Sequence, residues 1–240
     1  MILDMDVGNS RVKWRVSGSD GAMTRQGVAA DLEALGETLR DTKLQRIRAA
    51  CVRRQQRSEE LQSWGQQHFG LTVELAKVMR QWKNLEIFYP DPERLGVDRW
   101  LVMLVAAASS TAASVTVDCG TALTVDLVDA QGKHQGGYIV PGLRLCATAL
   151  EEHTAIRLGA LPESPDTTAG HSTDTAVFNG VLSMLLGLIE RAMHLSTMND
   201  ASLFVTGGDA PRFLPALSDA GFSPRHLDGM VLDGLALALP

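Results

Sequence analysis

Three short segments hold residue types that could handle a phosphate group and the alcohol that receives it. Asp118-Cys119-Gly120-Thr121 sets an acid, a glycine and a hydroxyl side by side. Glycine lets the backbone come close to a ligand. Exposed N–H groups with a hydroxyl suit phosphate oxygens, and the carboxylate suits a hard cation that accompanies them. The same types recur at Asp6, Gly8 and Ser10, with the hydroxyl one residue displaced. Lys13, just beyond, can neutralise phosphate charge, although an exposed lysine on a strand is common. The third segment is Gly96-Val97-Asp98-Arg99. Its carboxylate can take a proton from a hydroxyl or cap the helix that follows; the residues alone leave both open.

Each phosphate segment lies between two runs of strand character. Residues 115–119 alternate β-branched side chains and residues 122–128 continue in kind; residues 2–6 and 11–16 do the same at the start of the chain. Strand, tight turn, strand is the simplest reading of both. Each copy then reaches a second turn signal, Gly18 to Gly21 in one and Asp129 to Gly132 in the other. Matching flanks point to an internal duplication, with two phosphate turns facing each other across a cleft. Two unrelated hairpins with acidic turns are the alternative.

The remaining chain supplies the scaffold. In the first half, helices are expected over 31–40 and 59–69 and strands over 46–52 and 71–75. Residues 79–95 read as a loop, with Trp82, Phe88 and Tyr89 either lining a pocket or packing on the core. Gly96 to Arg99 closes that loop, and a buried helix follows over 100–113. In the second half, three strands end near Val140, a helix covers 143–153 and a loop covers 161–170. Ser172-Thr173 is expected to cap a long helix from Asp174 to about His194. A strand over 202–206 runs into Gly207-Gly208, Pro211 opens another helix, and a last helix spans 233–239. Two domains result, 1–113 and 114–240.

Composition narrows the function classes. In 240 residues, 45% are hydrophobic, which supports a real core and excludes disorder. A net charge of −6 argues against non-specific nucleic-acid binding, which needs a basic face. Cys51, Cys119 and Cys146 form no C-x-x-C pair and leave an odd number, as expected in a reducing compartment without zinc. Asp4 and Asp6 within the first strand argue against a signal peptide. The apolar run Val181 to Ile189 is too short to span a bilayer. A cytoplasmic protein without a membrane partner is expected.

The two phosphate turns and the late Thr206-Gly207-Gly208 resemble the actin-like ATPase superfamily, which includes sugar kinases. More narrowly, five segments occur in the order and spacing of type III pantothenate kinases. They are Asp6 to Ser10, Gly96 to Arg99, Asp118 to Ala122, Gly136 to Gly142, and Thr206 to Gly208. The resemblance runs from Ile2 to Leu235. It implies an α/β fold of duplicated ribonuclease H-like (actin-like ATPase) domains, each a mixed sheet with flanking helices, and an ATP cleft between them. It also implies ATP-dependent phosphorylation of pantothenate to 4′-phosphopantothenate, the first step of coenzyme A synthesis. Val97 stands where alanine is frequent in the family and Ser10 where threonine is; both keep the chemistry.

The resemblance assigns roles residue by residue. Asp98 is the catalytic base, and Gly96, Val97, Asp98, Arg99, Tyr89 and Thr173 bind pantothenate. Asp6, Val7, Gly8, Asn9, Ser10, Arg11, Val12 and Lys13 form the first ATP-binding segment; Gly120 and Thr121 form the second, and Gly207 and Gly208 lie near the adenosine. Asp6 faces magnesium, through water, and Asp118 binds a monovalent cation, potassium or ammonium. A homodimer is implied, built on the apolar helix after Asp174. The competing functions are a nucleotide-binding regulator without kinase activity and a superfamily kinase acting on another hydroxyl, such as a sugar or polyphosphate. Retention of Asp98, Asp6 and Asp118 argues against the first, and the Tyr89 to Arg99 block against the second.

Overall fold

The computed structural model describes residues 1–8, 10–51, 56–195, 198 and 200–240. They divide into two compact units. One comprises Met1–Met79, Tyr89–Val105 and Met230–Pro240; the other comprises Arg80–Phe88 and Ala106–Gly229. The units therefore do not follow the division at 113/114: the last helix belongs with the first unit, and a short segment before Tyr89 belongs with the second.

The first unit contains β1 (Ile2–Val7), β2 (Val12–Ser17), β3 (Met23–Ala29), α1 (Leu32–Leu39), β4 (Arg46–Cys51), α2 (Gln56–Phe69) and β5 (Val73–Leu75). Its sheet has the order β3-β2-β1-β4-β5, antiparallel on the β2 side and parallel on the β4 side. A small hairpin, β6 (Gln81–Trp82) and β7 (Leu85–Glu86), interrupts the stretch expected to be a loop. Lys83 turns it with φ +48. Strands of two residues carry no period, so nothing in the pattern announced them.

Helix α3 (Val97–Ser109) begins three residues before the expected start. The second unit contains β8 (Ser114–Cys119), β9 (Ala122–Val128), β10 (His134–Pro141), α4 (Leu143–His153), α5 (Thr173–Met193), β11 (Ser202–Thr206), α6 (Ala210–Asp219) and β12 (Arg225–His226). Its sheet order, β10-β9-β8-β11-β12, repeats the first with the same strand directions. The duplication inferred from the turns is present in the topology.

Burial explains why the strands differ. β4 and β8 are buried along nearly their whole length, as central strands covered on both faces are, although each carries polar residues, Arg48 in one and Ser114 and Thr116 in the other. Edge strand β10 alternates instead, and edge strand β3 exposes most of its residues. One core gathers Leu3, Met5, Ile47 and Leu61 with Leu35 of α1. The other gathers Val115, Val117, Leu123 and Val205 with Leu182, Leu185 and Ile189 of α5. Each such leucine or isoleucine contributes roughly 1.5–3 kcal/mol by leaving water. By length and composition alone, α5, with 21 residues, could cross a membrane. A core helix passes the same test, and here its apolar side fills the second core.

The last helix, α7 (Met230–Ala238), packs on β1 and β4. Arg15 of β2 pairs with Asp233. Arg48 of β4 donates to the Leu239 carbonyl at 2.8 Å, and Arg46 to the Pro240 carbonyl at 2.8 Å. Arg48 also holds Asp4 of β1 through two hydrogen bonds, 2.6 and 3.0 Å. The two residues are register partners on parallel strands, and both are buried, 2% exposed for Asp4 and 6% for Arg48. The sequence reading noted Asp4 only as an acid in the first strand.

Candidate active site

In the first unit, the turn expected to meet phosphate is the β1–β2 connection. Gly8 N–H donates to the Arg11 carbonyl at 3.2 Å, closing it. Asp6 and Lys13 are register partners across the hairpin, so an acid and a base flank the turn. Ser10 and Arg11 are exposed, while Val7 and Val12 are buried in the core and offer only their backbone. Arg57 of α2 donates to the Gly8 carbonyl at 2.7 Å. It was not anticipated, because its distance in sequence from the turn hides the contact. Asn9 lies outside the described residues.

The same unit carries the Gly96–Arg99 segment. Asp98 is the second residue of α3, inside its first turn, with Trp100 N–H bonded to the Gly96 carbonyl at 3.1 Å. Its Oδ1 accepts the Arg99 N–H at 2.9 Å, satisfying one of the donors a helix start leaves over. Arg99 is buried, and its Nη1 donates to the Tyr89 hydroxyl at 3.2 Å, with the guanidinium 6.0 Å from the ring centre. The structure thus brings Tyr89, Asp98 and Arg99 together, with Asp98 half-buried. The Val97 side chain is buried, which leaves only its backbone to meet a ligand.

In the second unit, the β8–β9 turn has the same construction. Gly120 N–H donates to the Ala122 carbonyl at 3.2 Å, and Gly142 N–H to the Thr121 carbonyl at 2.9 Å. Thr121 is exposed and Asp118 half-buried. The Gly207-Gly208 turn rests on it: Asp209 N–H donates to the Cys119 carbonyl at 2.9 Å. Gly207 has φ +98, and a Cβ there would lie 2.6 Å from the Cys119 backbone nitrogen and would overlap the Asp118 carboxylate. Only glycine permits both. Burial, with Asp118 and Asp209 adding to it, pushes the Cys119 thiol well up, so it remains protonated filler.

Thr173 is the exposed first residue of α5. It is not the cap. Ser172 takes that position and forms a capping box with Thr175. Asp126 is buried and lies 3.1 Å from His134 Nε2 in the second sheet. Among the described residues, no three His, Cys, Asp or Glu side chains converge on one point. A cation beside Asp6 or Asp118 would therefore draw on phosphate, water and backbone oxygens, a donor set that suits a strongly hydrated ion such as magnesium.

Two sheets of one strand order, each ending a central strand in a turn with an acid and a glycine, define the actin-like and sugar-kinase ATPase fold. Solved structures agree at the level of fold. A protein described as a Baf family transcriptional activator from Campylobacter jejuni matches with TM-score 0.65 and 21% identity, covering 98% of this chain and 95% of that one. One described as a 2-dehydro-3-deoxygalactonokinase from Sinorhizobium meliloti matches with TM-score 0.61 and 17% identity, covering 99% and 98%. The sequence is more specific. The profile of type III pantothenate kinase matches residues 2–195. A type III pantothenate kinase from Pseudomonas fluorescens is 36% identical over 251 aligned positions, covering 100% of this chain and 99% of its relative. The chain belongs to the type III pantothenate kinase family.

Proposed function

We propose that this protein phosphorylates the primary hydroxyl of pantothenate with ATP, giving 4′-phosphopantothenate and ADP and opening coenzyme A synthesis. The observation that carries the reading is the Asp98 carboxylate beside the Arg99–Tyr89 pair at the start of α3. Asp98 takes the hydroxyl proton as the new P–O bond forms and the bond between the β- and γ-phosphates breaks. Arg99, Tyr89 and Thr173 hold polar groups of pantothenate. The turn amides at Gly8 and Gly120, with the Ser10 and Thr121 hydroxyls, hold phosphate oxygens, and Lys13 neutralises their charge. Gly207 and Gly208 serve the adenosine end. Magnesium, when bound, neutralises charge on the transferring phosphates, and Asp6 holds it through water. Asp118 holds a monovalent cation. Use of ATP and of a coenzyme A precursor fits the cytoplasm.

Purified protein with ATP, magnesium, potassium and pantothenate should yield 4′-phosphopantothenate by mass spectrometry; absence of product under these conditions would overturn the assignment. Run in matched buffers, the reaction should be fast in potassium or ammonium and poor in sodium alone. Equal rates would remove the cation from Asp118 and leave the kinase standing.

The protein acts as a homodimer in this reading, with the partner lending part of the pantothenate pocket. While Leu182, Leu185, Leu186 and Ile189 of α5 face the core, Gly180, Ser183, Met184 and Gly187 are exposed, Met184 at 57%. A Cβ at Gly187 would meet nothing within 4 Å, so Gly187→Glu should leave the single chain folded. It should weaken association and activity together. Light scattering that shows an active species near 25.9 kDa at micromolar concentration would count against the dimer.

A further inference from the structure

An asparagine two turns into α5 has no local reason to be there. Asn is a poorer helix former than alanine, and Asn179 is only 8% exposed. It spends its whole amide on the loop before the helix. Nδ2 donates to Asp166 Oδ1 at 2.7 Å and to the Thr168 carbonyl at 3.1 Å. Oδ1 accepts the Asp166 N–H at 3.3 Å. Asp166 in turn accepts the Thr168 N–H at 2.8 Å and hydroxyl at 2.6 Å. Those bonds hold its carboxyl below the usual carboxylate range, so it stays an acceptor at neutral pH.

Other contacts tie the same loop to the first turns of the helix. Gly159 N–H donates to Asp174 Oδ1 at 3.2 Å, and the Gly170 backbone lies so close to Thr175 and Ala176 that a Cβ there would overlap them. Ser172 closes its box with Thr175. On the far side, Arg212 of α6 donates to the Pro162 carbonyl at 3.1 Å while paired with Asp209, which follows the Gly207-Gly208 turn. Thr173 is the one residue of this stretch that the function uses. It stands exposed between the loop and the helix, so the placement of its hydroxyl depends on how firmly the two are joined.

We infer that Asn179 is a positioning residue for pantothenate: by clasping residues 166–168 to α5 it fixes the segment that presents Thr173. This rests on the kinase reading and on the role of Thr173 in it. Of the clasp contacts, those of Asn179 are made by a buried side chain, where a lost partner leaves polar groups unsatisfied.

The test compares wild type, Asn179→Ala, Thr173→Ala and the exchange Asp166→Asn/Asn179→Asp. In the exchange the amide donor and the carboxylate acceptor trade places. Steady-state kinetics should show the pantothenate KM raised roughly tenfold or more in Asn179→Ala, as in Thr173→Ala. The kcat and the ATP KM should stay close to wild type, and the exchange should recover much of the loss. Amide hydrogen exchange over 163–172 should quicken in Asn179→Ala and slow again in the exchange. An unchanged pantothenate KM would overturn the inference. So would a uniform loss in both KM values, kcat and melting temperature, which marks a purely structural role. If wild type makes no phosphopantothenate, the kinase reading fails and the positioning role with it; hydrogen exchange then still reports whether the clasp exists, and so separates the two failures.

Discussion

Asp98→Asn should lower turnover by roughly 10²–10⁴-fold, the usual worth of a positioned acid or base. The amide is nearly isosteric with the carboxylate, and its oxygen can still accept the Arg99 N–H that Asp98 accepts now. The start of α3 is therefore kept, and with it the buried Arg99 and its bond to Tyr89. What is lost is the capacity to take a proton. The pantothenate KM should move little, because Arg99, Tyr89 and Thr173 remain. Circular dichroism and melting should match wild type, so the kinetic loss can be read as chemistry. Near wild-type turnover would remove Asp98 from the mechanism.

The largest loss of stability is expected from Asp4→Ala. It leaves the Arg48 guanidinium, 6% exposed, without the carboxylate that takes two of its hydrogen bonds. Breaking a buried pair by removing one member costs about 3–5 kcal/mol. That is a large part of the total stability usual for proteins, and for a chain of this size each kcal/mol moves the melting temperature by about 2–4 °C. Replacing both partners by apolar residues of similar volume should cost much less, since no charge is then left buried. If the single and double variants lose equal stability, packing rather than charge accounts for the effect. A single variant with an unchanged melting temperature would show that the pair contributes nothing.

The chemistry was more legible than its support. Asp6, Gly8, Asp118 and Gly120 announce themselves because glycine and acid recur at one interval with strand character on both sides. The repeated sheet order confirms what that interval implied. The start of α3 was misplaced because Asp98 and Arg99 look like loop chemistry, yet they form the first turn of a helix. The hairpin at Gln81–Glu86 was missed because two-residue strands have no period to detect. Asp4–Arg48 and Asn179–Asp166 were invisible for a different reason: each joins residues on different elements, 44 and 13 positions apart, and a single buried polar residue among apolar ones gives no hint of its partner. The roles proposed for Tyr89 and Thr173 rest on the family resemblance; residue types alone leave both as packing or capping.

The return of α7 to the first sheet has a consequence for biosynthesis. Strands β1 to β5 leave the ribosome before the second unit, but the helix that packs on β1 and β4, and that Arg15, Arg46 and Arg48 wait to grip, is translated after it. The second unit, closed by Gly229, has all its residues before that helix exists. Domains usually fold as units, in the order of synthesis. Here the unit begun first is completed last, and until then its sheet lacks the covering helix and Arg48 lacks one of its acceptors. A chain truncated after Gly229 and released should hold a protease-resistant second unit and a still-cleavable first one.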